Sequence, residues 1–194
     1  MIRLGLIRHG HTPWNRAGRI QGRTDIALDN DAEAHLRGLT LPAPWDSYDL
    51  VSSPLKRARR TAELISDRTP TAVPALIEMD WGAWEGGHGS QLIADPTSGY
   101  RHIEEWGWDF KPPNGESPAD VRDRLIPWAQ GLTRNTVAIC HIGIMRVLMA
   151  QATGWNFSGE APFRIKRDRL FVIRIDGSDW KAEAHPVRLE ARAS

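Results

Sequence analysis

Two runs of apolar residues mark the chain, Met1 to Ile7 (MIRLGLI) and Thr136 to Cys140 (TVAIC), and both have the length and composition of buried strands. Each gives way to functional side chains, Arg8-His9-Gly10 after the first and His141 after the second. Tyr48 to Ser52 reads as another short strand, and Thr71 to Ile77 as a weaker one. Elsewhere the apolar spacing is helical. Leu55, Ala58, Ala62 and Ile65 form one face of an amphipathic helix, with Ser53 as its expected N-cap and Pro54 at its first position. Ser117-Pro118-Ala119-Asp120 is a capping box in front of a helix that carries Val121, Leu125, Trp128 and Leu132. Asp29 to Leu39, ended by Pro42 and Pro44, and Gly143 to Thr153 are also expected to be helical. Pro13 to Leu28 is polar and aperiodic, an ordered loop, and Gln91 to Phe110 is a Trp-rich helical excursion broken by Pro96 and Gly99. Arg169 to Ile175 and Asp179 to Leu189, around Asp176-Gly177, read as a hairpin on a sheet edge. Strands alternating with helices predict an α/β fold: a three-layer α/β/α sandwich whose sheet is mostly parallel with an antiparallel edge. Without a linker, repeat or low-complexity tract, residues 1–194 are expected to form a single domain.

Composition narrows the setting. The 194 residues can bury a sizeable core, and 41% hydrophobic with 25% charged residues is typical of a soluble globular protein. A formal net charge of +1 gives no general attraction to nucleic acid or membrane, so neither is an expected partner. One Cys excludes an internal disulfide framework and fits a reducing compartment. Arg3 and Arg8 interrupt any signal-type apolar segment, so the expected location is cytoplasmic. The basic residues are mostly Arg, the side chain whose planar fork suits phosphate or carboxylate. The nine Trp are expected mainly in the core or half-buried, with some walling a pocket.

Candidate chemistry gathers at strand ends. In open α/β sheets ligands bind at the carboxyl ends of strands, where Arg8, His9 and His141 stand. Arg57 falls in the first turn of a helix that follows another strand. From Glu78 to Gly87, three acidic residues, two Trp and three Gly occupy ten positions, a loop with a carboxylate available for proton transfer. Taken singly, each has an ordinary explanation: polar residues closing a strand, a solvated helix charge, a Gly-rich surface loop.

In order along the chain stand Arg8-His9-Gly10, Ser53-Pro54 with Arg57-Ala58 and Thr61-Ala62, Glu78…Gly82…Glu85-Gly86, and His141-x-Gly143. This series resembles the histidine phosphatase superfamily, also called phosphoglycerate mutase-like. The resemblance extends through Thr12, Asn15, Gln21-Gly22 and Asp25 to Gly115-Glu116-Ser117, roughly residues 3 to 150. It implies a phosphoglycerate mutase-like fold and His9 as the nucleophile that carries the phosphoryl group. Arg8 and Arg57 would clamp the phosphoryl oxygens, with His141 as a further donor, and Glu78 would be the proton donor. Asn15, Gln21, Gly22 and Thr12 would complete the phosphate pocket. No metal and no cofactor are implied.

Two positions depart from the family pattern. Ile142 replaces the first of two Gly that usually follow the second His, where it would tilt the backbone beside His141 or pack behind the sheet. Ala32 stands where Gly is common. About thirty residues separate Glu85 from Ser117, a shorter insertion than in phosphoglycerate mutases. Together with the Pro112-Pro113-Asn114-Gly115-Glu116-Ser117 run, this looks more like the bacterial phosphatase branch and implies a phosphomonoesterase acting on a small phosphorylated metabolite. Phosphoglycerate mutase-type transfer and a non-catalytic phosphoryl-binding protein on the same fold are the alternatives. The sequence does not choose between monomer and homodimer. Cys140-x-x-Gly143-x-x-Arg146 also satisfies the loop spacing of cysteine-dependent phosphatases. Its intervening residues are apolar, and Arg8, His9 and Glu78 would then have no role, so Cys140 is expected to be a buried core thiol.

Overall fold

The computed structural model describes residues 1–192; the last two residues of the expected domain lie outside the described residues. In chain order the elements are β1 (Ile2–Arg8), α1 (Pro13–Arg16), α2 (Asn30–Arg37), β2 (Leu39–Thr40), β3 (Asp49–Ser52), α3 (Lys56–Ser66), β4 (Thr71–Ala72) and α4 (Gly89–Ala94). There follow α5 (Pro118–Gln130), β5 (Thr136–Cys140), α6 (Ile142–Thr153), β6 (Arg169–Asp176), β7 (Asp179–Ala182), β8 (Val187–Arg188) and β9 (Glu190–Ala191). The main sheet runs β4-β3-β5-β1-β6-β7. Its first four strands are parallel, β6 is antiparallel to β1, and β7 and β8 both pair antiparallel with β6.

Alternation along the strands builds three layers. Leu4, Leu6, Ala138, Cys140, Phe171 and Ile173 join one core with α5 and α6. Ile7, Val137, Ile139, Leu170 and Val172 point the other way and join a second core with α2 and α3. Successive strand side chains face opposite sides, so one fully buried strand serves both cores. Ala32 lies in the second core, where a methyl is accommodated. Among the described residues no helix is long and apolar enough to cross a membrane.

Several sequence expectations need correction. Ser53 does not cap α3: Leu55 is the N-cap, and the Ser53 N–H donates to the Ile139 carbonyl (2.9 Å), so the residue still belongs to the sheet. The weak strand over 71–77 pairs only at Thr71–Ala72, because Pro74 has no N–H and opens a 3₁₀ turn. Pro13 to Leu28 contains one helical turn, closed by the capping box between Thr12 and Asn15. The α2 helix stops at Gly38, before the two prolines. The expected strand from Asp179 to Leu189 is broken. Its second part returns as β8 beside β6, and β9 pairs with β2 in a separate two-stranded sheet.

The Trp-rich excursion is helical only at α4. Its remainder is an aromatic plug: Trp106 meets Trp81 at 5.5 Å and Phe110 at 5.3 Å between ring centroids, and Trp84 meets Tyr100 at 4.9 Å. Aromatic packing, not helical periodicity, spaces these rings.

Candidate active site

Three neighbouring parallel strands deliver the polar residues to one end of the sheet. In the β1–β5 register Arg8 faces Cys140, and the ladder continues with the His9 N–H donating to the Cys140 carbonyl at 3.0 Å. On the other side of β5, β3 places Ser52 opposite Ile139. His9, His141 and Ser53 therefore leave the sheet side by side, and α3 starts close enough to bring Arg57 among them. The two His rings have centroids 5.1 Å apart.

Buried hydrogen bonds fix the protonation of these groups. His9 Nδ1 lies 2.7 Å from the Gly10 carbonyl. A carbonyl only accepts, so Nδ1 carries the hydrogen and Nε2 keeps a lone pair. Burial pushes the His9 pKa well below the ordinary imidazole value, and the Arg57 and Arg8 charges push it the same way. His141 is also held neutral, by burial first and Arg57 second. Its Nδ1 accepts from Arg57 Nε at 3.3 Å, and its Nε2 hydrogen meets Ser53 Oγ at 2.7 Å. Arg57 is fully buried and held by neutral groups, donating also to the carbonyls of Gly22 (2.7 Å) and Thr24 (3.0 Å).

Glu78 is 2% exposed. Burial raises its pKa above the usual carboxyl value, against the opposing pull of the Met79 and Gly143 amides and the arginine charges. Those amides donate at 2.8 and 3.3 Å. The close fit explains Gly143: a Cβ there would lie 2.5 Å from Glu78 Oε1 and 3.2 Å from Met79 Cβ. Gly143→Ala is therefore expected to destabilise the protein by about 1–3 kcal/mol, the usual cost of overpacking, and to displace the Glu78 carboxyl. Thermal unfolding checks the first effect, and kcat/KM on an alkyl phosphate checks the second.

The two acidic neighbours of Glu78 are engaged elsewhere. Asp80 accepts from the Gly82 N–H (2.8 Å) and faces Arg23 at 3.6 Å, while Glu85 binds the backbone amides of Arg23 and Thr24. Glu116 ties this region together, bonded to Arg23 at 2.8 Å and Arg124 at 3.1 Å, and both arginines also reach the Glu78 carbonyl.

A cavity of about 140 Å³ opens on this constellation, lined in part by Arg8, His9, Asn15, Gln21, Glu78 and Ile142. Thr12 and Gly22 lie behind its wall. The Thr12 hydroxyl and Asn15 Nδ2 both donate to Gln21 Oε1, at 2.9 and 3.1 Å, and the Gly22 carbonyl holds Arg57. Arg57 and His141, at 0% exposure, form the layer beneath. Gln21 Nε2 and Arg8 Nε are buried donors without a protein acceptor. Unpaired buried donors are rare, and here two of them belong to residues lining a cation-rich cavity. Burial and the nearby Arg167 lower the Arg8 pKa to about 9, which leaves it charged at neutral pH. The arrangement suits an oxyanion of phosphate size. Among the described residues no group of three or more His, Cys, Asp or Glu is placed to hold a metal ion.

Ile142 neither tilts the backbone nor packs behind the sheet. His141 is the extended N-cap of α6, and Ile142 opens the helix as part of the cavity wall. Cys140 is fully buried in the core, its thiol pushed well up by burial, so it offers no thiolate. Sequence reading missed Arg167, whose Nε donates to the His9 carbonyl (3.1 Å) and whose Nη2 donates to Asn15 Oδ1 (3.0 Å). The signal was the antiparallel edge: β6 pairs Leu170 with Ile7, so residues just before β6 must lie beside the carboxyl end of β1.

A sequence model of the histidine phosphatase superfamily (branch 1) matches residues 4–187. A probable phosphoglycerate mutase of Erwinia tasmaniensis, GpmB, is 28% identical over 94% of this chain and 89% of its own. An adenosylcobalamin/alpha-ribazole phosphatase of Escherichia coli is also 28% identical, over 93% and 89%. The crystal structure of a phosphoglycerate mutase from Thermus thermophilus superposes with a TM-score of 0.73 at 32% identity, covering 98% of this chain and 100% of that one.

Proposed function

The chain belongs to the histidine phosphatase superfamily, and from that premise we propose that it hydrolyses a small phosphomonoester through a phosphohistidine on His9. The observation that carries this reading is the His9 ring itself. Its Nδ1 is fixed on Gly10, its Nε2 lone pair is available, and buried cations hold it neutral.

In the first step Nε2 attacks phosphorus and the ester P–O bond breaks. Negative charge on the three phosphoryl oxygens meets Arg8, Gln21 Nε2 and, from beneath, Arg57 with His141. Glu78 gives its proton to the departing alkoxide, so the alcohol leaves neutral. Water then attacks the phosphohistidine, its proton returns to Glu78, and inorganic phosphate leaves with His9 regenerated. In this reading Thr12 and Gly22 position Gln21 and Arg57, and Asn15 and Arg167 hold the loop around His9. All the positive charge comes from side chains.

The test is turnover in the presence of EDTA, followed as inorganic phosphate released from an alkyl phosphate. Undiminished release is expected. Loss on chelation, restored by a divalent ion, would refute the side-chain clamp. Transfer to a second acceptor alcohol instead of water would mark a mutase, and binding without turnover a non-catalytic phosphoryl-binding protein.

The protonation states also set the pH profile. Glu78 donates only when protonated, and its raised pKa keeps the proton on to higher pH, so kcat/KM should fall as pH rises through that value. The depressed His9 pKa keeps the nucleophile neutral below the ordinary histidine range, so the acid-side fall should come late. A pH series on the wild type and Glu78→Gln checks this. An alkaline fall that persists unchanged in Glu78→Gln would show that another group is the acid.

A further inference from the structure

A second cavity, of about 200 Å³, lies next to the first and shares Ile142 with it. The half-buried Arg146 and the buried Trp155 line its inner part, with Phe163 beside them, and the exposed Arg164 and Glu104 stand at its rim. Arg146 sits one helical turn beyond Ile142 on α6. Its charge bears on both Arg8 and Glu78, so it faces the catalytic end of the sheet. Among the described residues no hydrogen bond or ion pair ties down its guanidinium. Such a group, beside indole and phenyl faces, is an anion receptor with an apolar wall.

Size gives this cavity its role. At roughly 30 Å³ per water-sized group, the catalytic cavity has room for about five, the phosphoryl group and little more. The rest of the ester must extend out of it, and the Ile142 wall is shared with a space large enough to receive that remainder. Two cations against one carboxylate leave the second cavity with one net positive charge.

We propose that this second cavity is the leaving-group subsite, and that it selects phosphomonoesters whose alcohol joins an apolar body to one anionic group held by Arg146. This rests on the phosphatase reading above. Ile142 then divides the phosphoryl pocket from the leaving-group pocket, a use for the side chain that departs from the family's Gly.

The experiment compares benzyl phosphate with 4-carboxybenzyl phosphate, which differ in the distal carboxylate. The wild type should show a higher kcat/KM for the carboxylated ester. In Arg146→Gln the ratio of the two kcat/KM values should fall at least tenfold, and Arg146→Lys should restore part of it. A change of field at Arg8 or Glu78 would alter both esters alike and cancel in the ratio, so the ratio reports the subsite. Equal ratios in wild type and Arg146→Gln, with both esters turned over, would overturn the subsite and leave the phosphatase intact. Absence of turnover on both would overturn the phosphatase. The subsite is then read from equilibrium binding of the two esters to wild type and Arg146→Gln, where unchanged discrimination refutes it. Should Arg146→Gln fail to fold, Arg164→Gln at the exposed rim is expected to lower the same ratio by a smaller factor, and an unchanged ratio there counts against the proposal.

Discussion

Glu78→Gln is expected to lower kcat/KM for alkyl phosphates by roughly 10²–10⁴-fold, the usual contribution of a general acid, and to affect p-nitrophenyl phosphate far less. Gln keeps the shape of the side chain and can still receive the Met79 and Gly143 amides through its oxygen, so the pocket should survive. What it lacks is an acidic proton. An alkyl alkoxide needs that proton to leave, whereas p-nitrophenolate is stable as an anion. In this two-step reaction kcat/KM reports events up to the first irreversible step and so excludes dephosphorylation of His9. Equal losses on both substrates would make Glu78 a positioning residue. No loss on either would return the role to Asp80 or Glu85, which the hydrogen bonds assign to loop structure.

His9→Ala is expected to remove turnover on every substrate, by roughly 10⁴–10⁶-fold, the scale of losing a nucleophile or its essential partner. The fold should tolerate it. The imidazole makes one hydrogen bond, to the Gly10 carbonyl, while the main chain is held separately by Cys140 and Arg167. Gln21, Arg8 and Arg57 keep their donors. Inorganic phosphate should therefore bind His9→Ala with an affinity within a few-fold of wild type, measured by calorimetric titration. Loss of phosphate binding together with activity would mean that the substitution collapsed the pocket and would remove its mechanistic content.

The central strands and their histidines were legible because burial on both faces leaves an uninterrupted apolar run, and a polar residue at its end has few places to go. Thr136–Cys140 matches its expected bounds for this reason, and the capping box at Ser117 fixes the start of α5. Residues whose roles depend on topology were not legible in this way. Arg167 comes to His9 only because β6 runs antiparallel to β1, and Ser53 meets His141 only because β3 lies beside β5. Ser-Pro before a helical face is a sound N-cap signal, yet the Ser53 N–H went to the sheet and its hydroxyl to His141. In the stretch rich in Trp, rings separated along the chain converge in space, and the one-dimensional pattern imitates a helix. The demand for Gly at 143 needed the position of Glu78, which lies sixty-five residues away in sequence.

The most direct test of the account is to quench the wild-type enzyme in base during turnover of a ³²P-labelled ester and to locate the label by peptide mapping. A phosphoramidate is labile to acid and stable to base, which separates it from phosphoserine and from a thiophosphate on Cys140. The account predicts an acid-labile, base-stable phosphoryl group on the peptide that contains His9, absent in His9→Ala. Label on Cys140, or sustained turnover by His9→Ala, would contradict it.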